Sequence, residues 1–163
     1  MWQKYMDRAL DMGAAEVRLI DPKDVVTAAW VRHKCQFGCG HYGHNRCCPP
    51  FTPDWRETRE ILKEFSKAFL VRNPGWNSTE IARELARLLF LDGYYKAMGF
   101  GSGNCRLCKT CDLETCRHPE LVIPSMEACG IDVFATARHQ GFPIGVLTQK
   151  DQPHNTYCLV LIE

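Results

Sequence analysis

Cysteine is the residue type with the greatest capacity for chemistry in this chain, since ten of its 163 residues are cysteines. Eight of the ten lie in two short segments, residues 35–48 and 105–116. Disulfide scaffolds usually spread their cysteines along the chain, whereas a metal centre needs several thiolates within one small sphere. The clustering therefore favours metal binding over structural disulfides.

The second cysteine segment reads CRLCKTCDLETC over residues 105–116. Its spacing, Cys-x2-Cys-x2-Cys-x4-Cys, approximates the bacterial ferredoxin run, with one extra residue before the fourth cysteine. Zinc is the alternative metal, although zinc sites more often use two separated Cys-x2-Cys knuckles. In ferredoxins with two clusters the fourth cysteine binds the other cluster, which leaves open the site that Cys116 serves. We predict a [4Fe–4S] cluster whose thiolate ligands are Cys105, Cys108, Cys111 and Cys116.

The first cysteine segment reads CQFGCGHYGHNRCCPP over residues 35–50. We predict Cys35, Cys39 and Cys48 as ligands of a second [4Fe–4S] cluster, because Cys48 precedes proline as the last cysteine of the ferredoxin run does. Three thiolates leave one iron without a protein ligand. The candidates for the fourth position are Cys47, Cys116, His41, His44 and an external molecule.

Three cysteines are interpreted as spare thiols. Cys47 is adjacent to Cys48, so its side chain is expected to point elsewhere in an extended chain. Cys129 lies in SMEACGID and Cys158 in TYCLVLI, each isolated among apolar or small neighbours. Such surroundings are typical of buried, inert thiols.

The elements that must position these cysteines follow from the hydrophobic pattern. Apolar residues at helical spacing predict helices at 2–12, 54–67, 78–97 and 131–140, with a helical stretch at 119–129 that is broken near Pro124. Short apolar runs predict strands at 16–20, 25–31, 68–72, 144–148 and 157–162.

Strands interleaved with helices predict a single domain over residues 1–163 with an α/β or α+β fold. We expect a small mixed sheet of about four to five strands with flanking helices. Two irregular segments without usable periodicity, residues 33–53 and 99–119, are expected to emerge from it as the cysteine-rich, metal-binding loops.

Composition excludes several classes of partner. The net charge is +1, which gives no support for nucleic-acid binding or for a basic membrane-surface protein. The longest apolar runs have four to five residues, against about 20 for a membrane helix, and the N-terminus lacks an apolar export signal. We therefore expect a cytoplasmic protein with reduced thiols.

The chain resembles an uncharacterised family of small predicted metal-binding proteins of anaerobic bacteria and archaea, a domain of unknown function. CQFGCGHYG and CCPPFTP carry the resemblance in the first half, and GYYKAMGFGSGNCRLCKTC, CRHPE and PSMEACGIDVFATA carry it in the second. The resemblance implies metal binding, of iron–sulfur type, and says nothing about a substrate. All seven predicted ligands fall on the motif positions, whereas Cys47 and Cys158 depart from the family pattern.

These observations favour an iron–sulfur protein with one or two [4Fe–4S] clusters. Its expected role is electron transfer, or redox support of a partner enzyme in anaerobic metabolism, and the expected partner is therefore a redox protein. One alternative is an enzyme whose under-ligated cluster binds substrate at an open iron. A second alternative is a zinc-stapled structural or interaction module.

Overall fold

A computed structural model describes all 163 residues, and an antiparallel sheet forms its centre. The strands follow the order β1-β2-β4-β3, and each neighbouring pair is antiparallel. The two central strands are thus hydrogen-bonded along both edges, and β1 and β3 are the outer strands. The strands are β1 (Glu16–Ile20), β2 (Ala68–Asn73), β3 (Met98–Phe100) and β4 (Thr156–Leu161).

Five α-helices surround the sheet, together with two single-turn 3-10 helices at Pro22–Asp24 and Glu127–Cys129. None of these helices combines the length and the apolar character that crossing a membrane requires. The helices are α1 (Gln3–Asp11), α2 (Ala29–Gly38), α3 (Trp55–Lys63), α4 (Ser78–Leu91) and α5 (Val133–His139).

The central strands β2 and β4 are buried on both faces, and this divides the core into two parts. Leu70 and Leu159 belong to the core that α3 and α5 cover, whereas Phe69 and Val160 belong to the core that α1 and α4 cover. Successive side chains of a strand point to opposite faces, so a strand buried on both faces reads as a continuous apolar run. This explains why AFLV and YCLVLI contain no polar alternation.

The predicted fold class is confirmed, with four strands and five flanking helices. The sheet is antiparallel throughout instead of mixed. Most predicted elements correspond closely to elements of the structure. They are the strands expected at 16–20, 68–72 and 157–162 and the helices expected at 2–12, 54–67 and 131–140.

Two predicted strands are wrong. In the segment 25–31, Thr27 makes only an isolated bridge to Ile131, and α2 begins at Ala29. The segment 144–148 forms no strand, and Val146 is 74% exposed. Both edges of β2 and β4 are already paired, so an apolar run elsewhere in the chain finds no central position in the sheet.

Three further boundaries differ from the prediction. The helix expected at 78–97 ends at Leu91, and Gly93 adopts a left-handed φ of 100° just beyond it. Glycine is favoured at such helix ends because it lacks a Cβ. The stretch 119–129 is mostly irregular and contains only the 3-10 turn Glu127–Cys129. The three residues of β3 were not predicted, since so short a run carries no periodicity.

Candidate metal centre

The two cysteine loops pack directly against each other. The Asn45 side-chain amide donates to the Cys105 carbonyl at 3.0 Å, and Nη1 of Arg46 donates to the Glu114 carbonyl at 2.6 Å. The backbone N–H of Arg46 lies 3.4 Å from Sγ of Cys111. Residues about 60 positions apart in the chain are thereby joined, so the cysteines of both loops belong to one site.

The first loop keeps its shape through local hydrogen bonds and one long-range bond. Oδ1 of the buried Asn45 accepts the backbone N–H of Cys47 at 2.9 Å, which forms an Asx turn. Oγ1 of Thr52 donates to the Ala128 carbonyl at 2.5 Å. This bond fixes the end of the first loop against the 3-10 turn Glu127–Cys129.

The second loop is fixed where it begins and in its middle. The Gly101 N–H donates to the Pro124 carbonyl at 2.8 Å, and a Cβ at Gly101 would overlap the Thr79 side chain, so only glycine fits there. Oδ1 of Asp112 accepts the N–H groups of Thr115 and Glu114, and these bonds lower the pKa of the Asp112 carboxyl. The loop has no regular secondary structure and is held by a backbone hydrogen bond where it begins and by side-chain-to-backbone hydrogen bonds in its middle.

A cavity of about 240 Å³ lies between the two loops. We call it the thiol cavity. Its lining also contains His41, His44 and the cations Arg46, Lys109 and Arg117. The four cysteines predicted for the second cluster line it together with one cysteine from the first loop: Cys105, Cys108, Cys111, Cys116 and Cys47.

Cys47 lines the thiol cavity, although the sequence favoured a spare thiol and offered it only as one candidate for the fourth ligand of the first cluster. It is 8% exposed, and burial, followed by the neighbouring thiols of Cys105, Cys48 and Cys116, raises its pKa to about 12. The surroundings of the two adjacent cysteines overlap only in part: Cys105 is a neighbour of both thiols, whereas Cys116 is a neighbour of Cys47 alone. The adjacency of Cys47 to Cys48 is the signal in the sequence. Neighbouring side chains of an extended segment point to opposite sides, so a thiol that points away from one group of ligands can face another.

Cys48 connects two groups of thiols: a first group, which consists of Cys35, Cys39 and Cys48 itself, and the five cysteines that line the thiol cavity. Burial raises its pKa to about 11, and the neighbouring thiols that add to this are Cys39, Cys35, Cys105 and Cys111. Cys35 lies in the last turn of α2 and Cys39 directly follows that helix, so four-residue spacing places both on one side of its end. The structure therefore places the three predicted ligands of the first cluster near one another, although not close enough to share one metal ion.

The arrangement of these thiols can be compared with the needs of different metal centres. No three His, Cys, Asp or Glu side chains lie close enough to share one metal ion. A zinc site draws four ligands to about 2.0–2.3 Å from a single point. A cubane cluster occupies a volume and binds each thiolate to a different iron.

The electrostatics of the cavity also suit an anionic group. Burial raises the pKa of Cys47 and Cys48, so their thiolate forms need a cationic partner in this environment. A bound metal supplies that positive charge and displaces the protons. The three surrounding cations and the Arg46 N–H directed at Cys111 would offset the remaining negative charge of a thiolate cluster.

Comparison with protein families gives one match. Residues 18–162 match the model of the family described as predicted metal-binding protein (DUF2284). The chain belongs to this family. The match includes all ten cysteines, and it identifies the chain as a predicted metal-binding domain. Searches of curated proteins and of solved structures found no match.

Two cysteines of this DUF2284 chain lie in the two cores and do not line the thiol cavity, although Cys47 is among the charged neighbours of Cys129. Cys129 and Cys158 are both 0% exposed. Burial raises the pKa of Cys129 to about 12 and raises that of Cys158 above its ordinary value. Both environments agree with the interpretation of these residues as buried thiols.

Three other candidates for the fourth ligand of the first cluster belong to the lining of the thiol cavity. His41, His44 and Cys116 all line the thiol cavity between the loops. Cys105 and Cys111, in contrast, are neighbours of Cys48 itself. Contact between the loops thus offers the first group of thiols a nearby fourth thiol from the second loop.

Proposed function

We propose that this chain binds two [4Fe–4S] clusters and transfers electrons between them and a partner redox protein. The observation that supports this most directly is the thiol cavity, where five cysteines from both loops surround about 240 Å³. Three more cysteines adjoin it through Cys48. Eight thiols in one place match the four ligands that each of two cubanes requires.

Cys47 is the eighth ligand in this proposal. It adds a fifth thiol to the cavity, beside Cys105 and Cys116. This frees one cysteine of the second loop for the first cluster, and Cys105 and Cys111 both border Cys48. Exchange of a ligand between two cysteine runs is also how two-cluster ferredoxins are built.

The position of the thiols favours electron transfer. Cys39 is exposed at the end of α2, and Leu107 and Leu113 of the second loop are 44% and 39% exposed. The clusters would therefore lie close to the surface, where a partner protein approaches them. The N–H of Arg46 directed at Cys111 and the surrounding cations would raise the reduction potential by stabilising the more negative, reduced state.

Metal and sulfide analysis of anaerobically isolated protein tests the cluster. We expect a brown protein with about eight irons and about eight acid-labile sulfides per chain. A colourless protein with stoichiometric zinc, after anaerobic handling and cluster reconstitution, would contradict the proposal and favour the zinc-stapled module.

A matched pair of variants tests the ligand set. Cys47→Ala should lose about half of the iron, because one of two cubanes loses a ligand. Cys158→Ala should keep the wild-type iron content, since Cys158 is 0% exposed in the core formed with α1 and α4. Equal iron content in both variants would remove Cys47 from the ligand set.

A redox titration followed by electron paramagnetic resonance tests the electron-transfer role. We expect reversible one-electron reduction between about −700 and +450 mV, the range of protein iron–sulfur clusters. Clusters that bind stoichiometrically but cannot be reduced reversibly anywhere in this range would argue against electron transfer.

A further inference from the structure

A second and larger cavity, of about 950 Å³, lies on the other side of the first group of thiols. We call it the apolar cavity. Trp30 from α2, Phe134 from α5 and Ile144 from the segment that follows α5 form its apolar walls, and Cys35 and Cys39 line one side. Its volume is at the upper end of the range, about 300–1,000 Å³, that is typical of sites for small organic molecules.

Two residues that line this cavity each carry a polar atom without a partner. Oε2 of Glu127 and Nε2 of His154 are shielded from solvent, and neither makes a hydrogen bond. Both residues line the apolar cavity. Most shielded polar atoms in folded proteins have a partner. These two partnerless atoms are therefore available to the polar groups of a ligand when the two side chains turn toward the cavity.

A cation at the same cavity has no acidic partner. The Lys34 ammonium lies 5.6 Å from the centroid of the Trp30 ring and pairs with no carboxylate. Its position beside an aromatic wall suits a ligand that combines an apolar body with a negative charge. A carboxylate accepts hydrogen bonds from both a lysine ammonium and a histidine N–H.

We propose that the apolar cavity binds a small organic acid that has an aromatic or branched apolar body and a hydroxyl or amino group next to its carboxylate. Lys34 and His154 would hold the carboxylate. Oε2 of Glu127 would accept a hydrogen bond from the hydroxyl or amino group. The apolar body would pack on Trp30 and Phe134.

This binding site goes beyond the proposed function, because the aromatic and polar residues that would hold the organic acid do not line the thiol cavity. It does place the ligand beside the first group of thiols, since Cys35 and Cys39 line the apolar cavity. Glu127 is also among the charged neighbours of Cys35. A small organic acid bound there would therefore lie next to the first cluster.

Calorimetric titration of the anaerobically isolated protein with three related compounds tests the proposal. 3-Phenyllactate carries the ring, the carboxylate and the hydroxyl, whereas 3-phenylpropionate lacks the hydroxyl and 2-phenylethanol lacks the carboxylate. We expect 3-phenyllactate to bind most tightly. Absence of binding by all three compounds, or equal affinity for all three, would overturn the proposal.

Variants separate the contributions of the polar groups. Lys34→Met should weaken 3-phenyllactate binding about tenfold, the effect of losing one charge-assisted hydrogen bond, and leave 2-phenylethanol unaffected. Glu127→Met should abolish the preference for 3-phenyllactate over 3-phenylpropionate. Lys63→Met is the matched control, because Lys63 is an exposed helical lysine that does not line the cavity. Equal effects of Lys34→Met and Lys63→Met would contradict the proposed contact.

Iron analysis of the same samples distinguishes failure of the organic-acid site from failure of the proposed function. Wild-type protein that contains iron but binds none of the three compounds would overturn the organic-acid site alone. Protein that binds 3-phenyllactate selectively but carries no iron would overturn the cluster proposal alone. Val146→Glu, a change at the exposed rim of the cavity, should weaken 3-phenyllactate binding without lowering the iron content.

Discussion

The sheet and the cysteine loops are stabilised in different ways. Both regions contain cysteines, so the surroundings of these cysteines can be compared. Cys158 lies in β4 opposite Val71 of β2 and among apolar neighbours, so its thiol is one more apolar group in a core. Cys47 lies in a loop without regular structure, where its neighbours are other thiols. The surroundings of a cysteine, and not the number of cysteines, decide whether a thiol serves packing or metal binding.

The two regions also differ in the interactions that stabilise their folded structure. The sheet buries large apolar side chains such as Phe69, Leu70 and Leu159 completely, so the hydrophobic effect stabilises it. The loops are joined by a few bonds around a cavity lined with thiols, among them the bonds of Asn45 and Arg46. A bound metal would supply the remaining stabilisation of the loops, and four predictions test this difference.

The largest expected effect follows removal of the metal. Chelation under reducing conditions should expose the amides of residues 39–54 and 101–122 to rapid hydrogen exchange, because metal binding and ordering of such loops are coupled. The amides of β2 and β4 should remain protected, since the apolar core holds them. Deuterium exchange followed by mass spectrometry measures both regions in one sample. Equal loss of protection in the sheet and the loops would contradict the division into two regions.

The second prediction concerns the sheet alone. Leu70→Ala should lower the free energy of unfolding by about 2–5 kcal/mol, because it opens a cavity at a fully buried position. Leu91→Ala, at a position that is 63% exposed, should change it by less than about 0.5 kcal/mol. Denaturant unfolding measures both values. The iron content of the folded Leu70→Ala protein should equal that of wild type, and a selective loss of iron would show that the two regions are coupled.

The third prediction concerns the contact between the loops. Asn45→Ala removes the bond to the Cys105 carbonyl and the bond from the Cys47 N–H, so it should destabilise the paired loops by about 1–3 kcal/mol. The rate of iron release to a chelator should rise accordingly. Asn155→Ala, which removes a weaker bond of 3.4 Å from Arg72, is the control. Unchanged iron release in Asn45→Ala would mean that this side chain does not hold the loops together.

The smallest expected effect is at the start of α3. Asp54 caps this helix by accepting the N–H groups of Arg56 and Glu57, and Asp54→Ala should lower the midpoint of thermal unfolding slightly, by less than Leu70→Ala does. The bond from the Glu57 N–H is the main reason why the pKa of Asp54 is lowered. The contribution is therefore present above the carboxyl's unfolded-state pKa and is lost as the pH falls through its folded-state pKa. Thermal unfolding at several pH values measures it, and an equal difference between wild type and variant at acidic and neutral pH would contradict it.

Much of the fold was predictable because β2 and β4 are buried on both faces. Their apolar runs, AFLV and YCLVLI, are visible in the sequence without knowledge of their partners. The runs at 25–31 and 144–148 look similar locally, yet neither forms a strand. Competition for places in the sheet decides between such runs, and this competition involves segments far apart in the chain.

The sequence by itself determined where thiols are concentrated, because ligand spacing along the chain is a local property. It also determined which runs are apolar enough to form the sheet. Only the tertiary structure decided that Cys47 faces Cys105 and Cys116, that Cys48 lies between the two groups of thiols, and that an apolar cavity adjoins Cys35. The physical reason is that these contacts join loops about 60 residues apart, and their meeting depends on how the helices and strands between them pack.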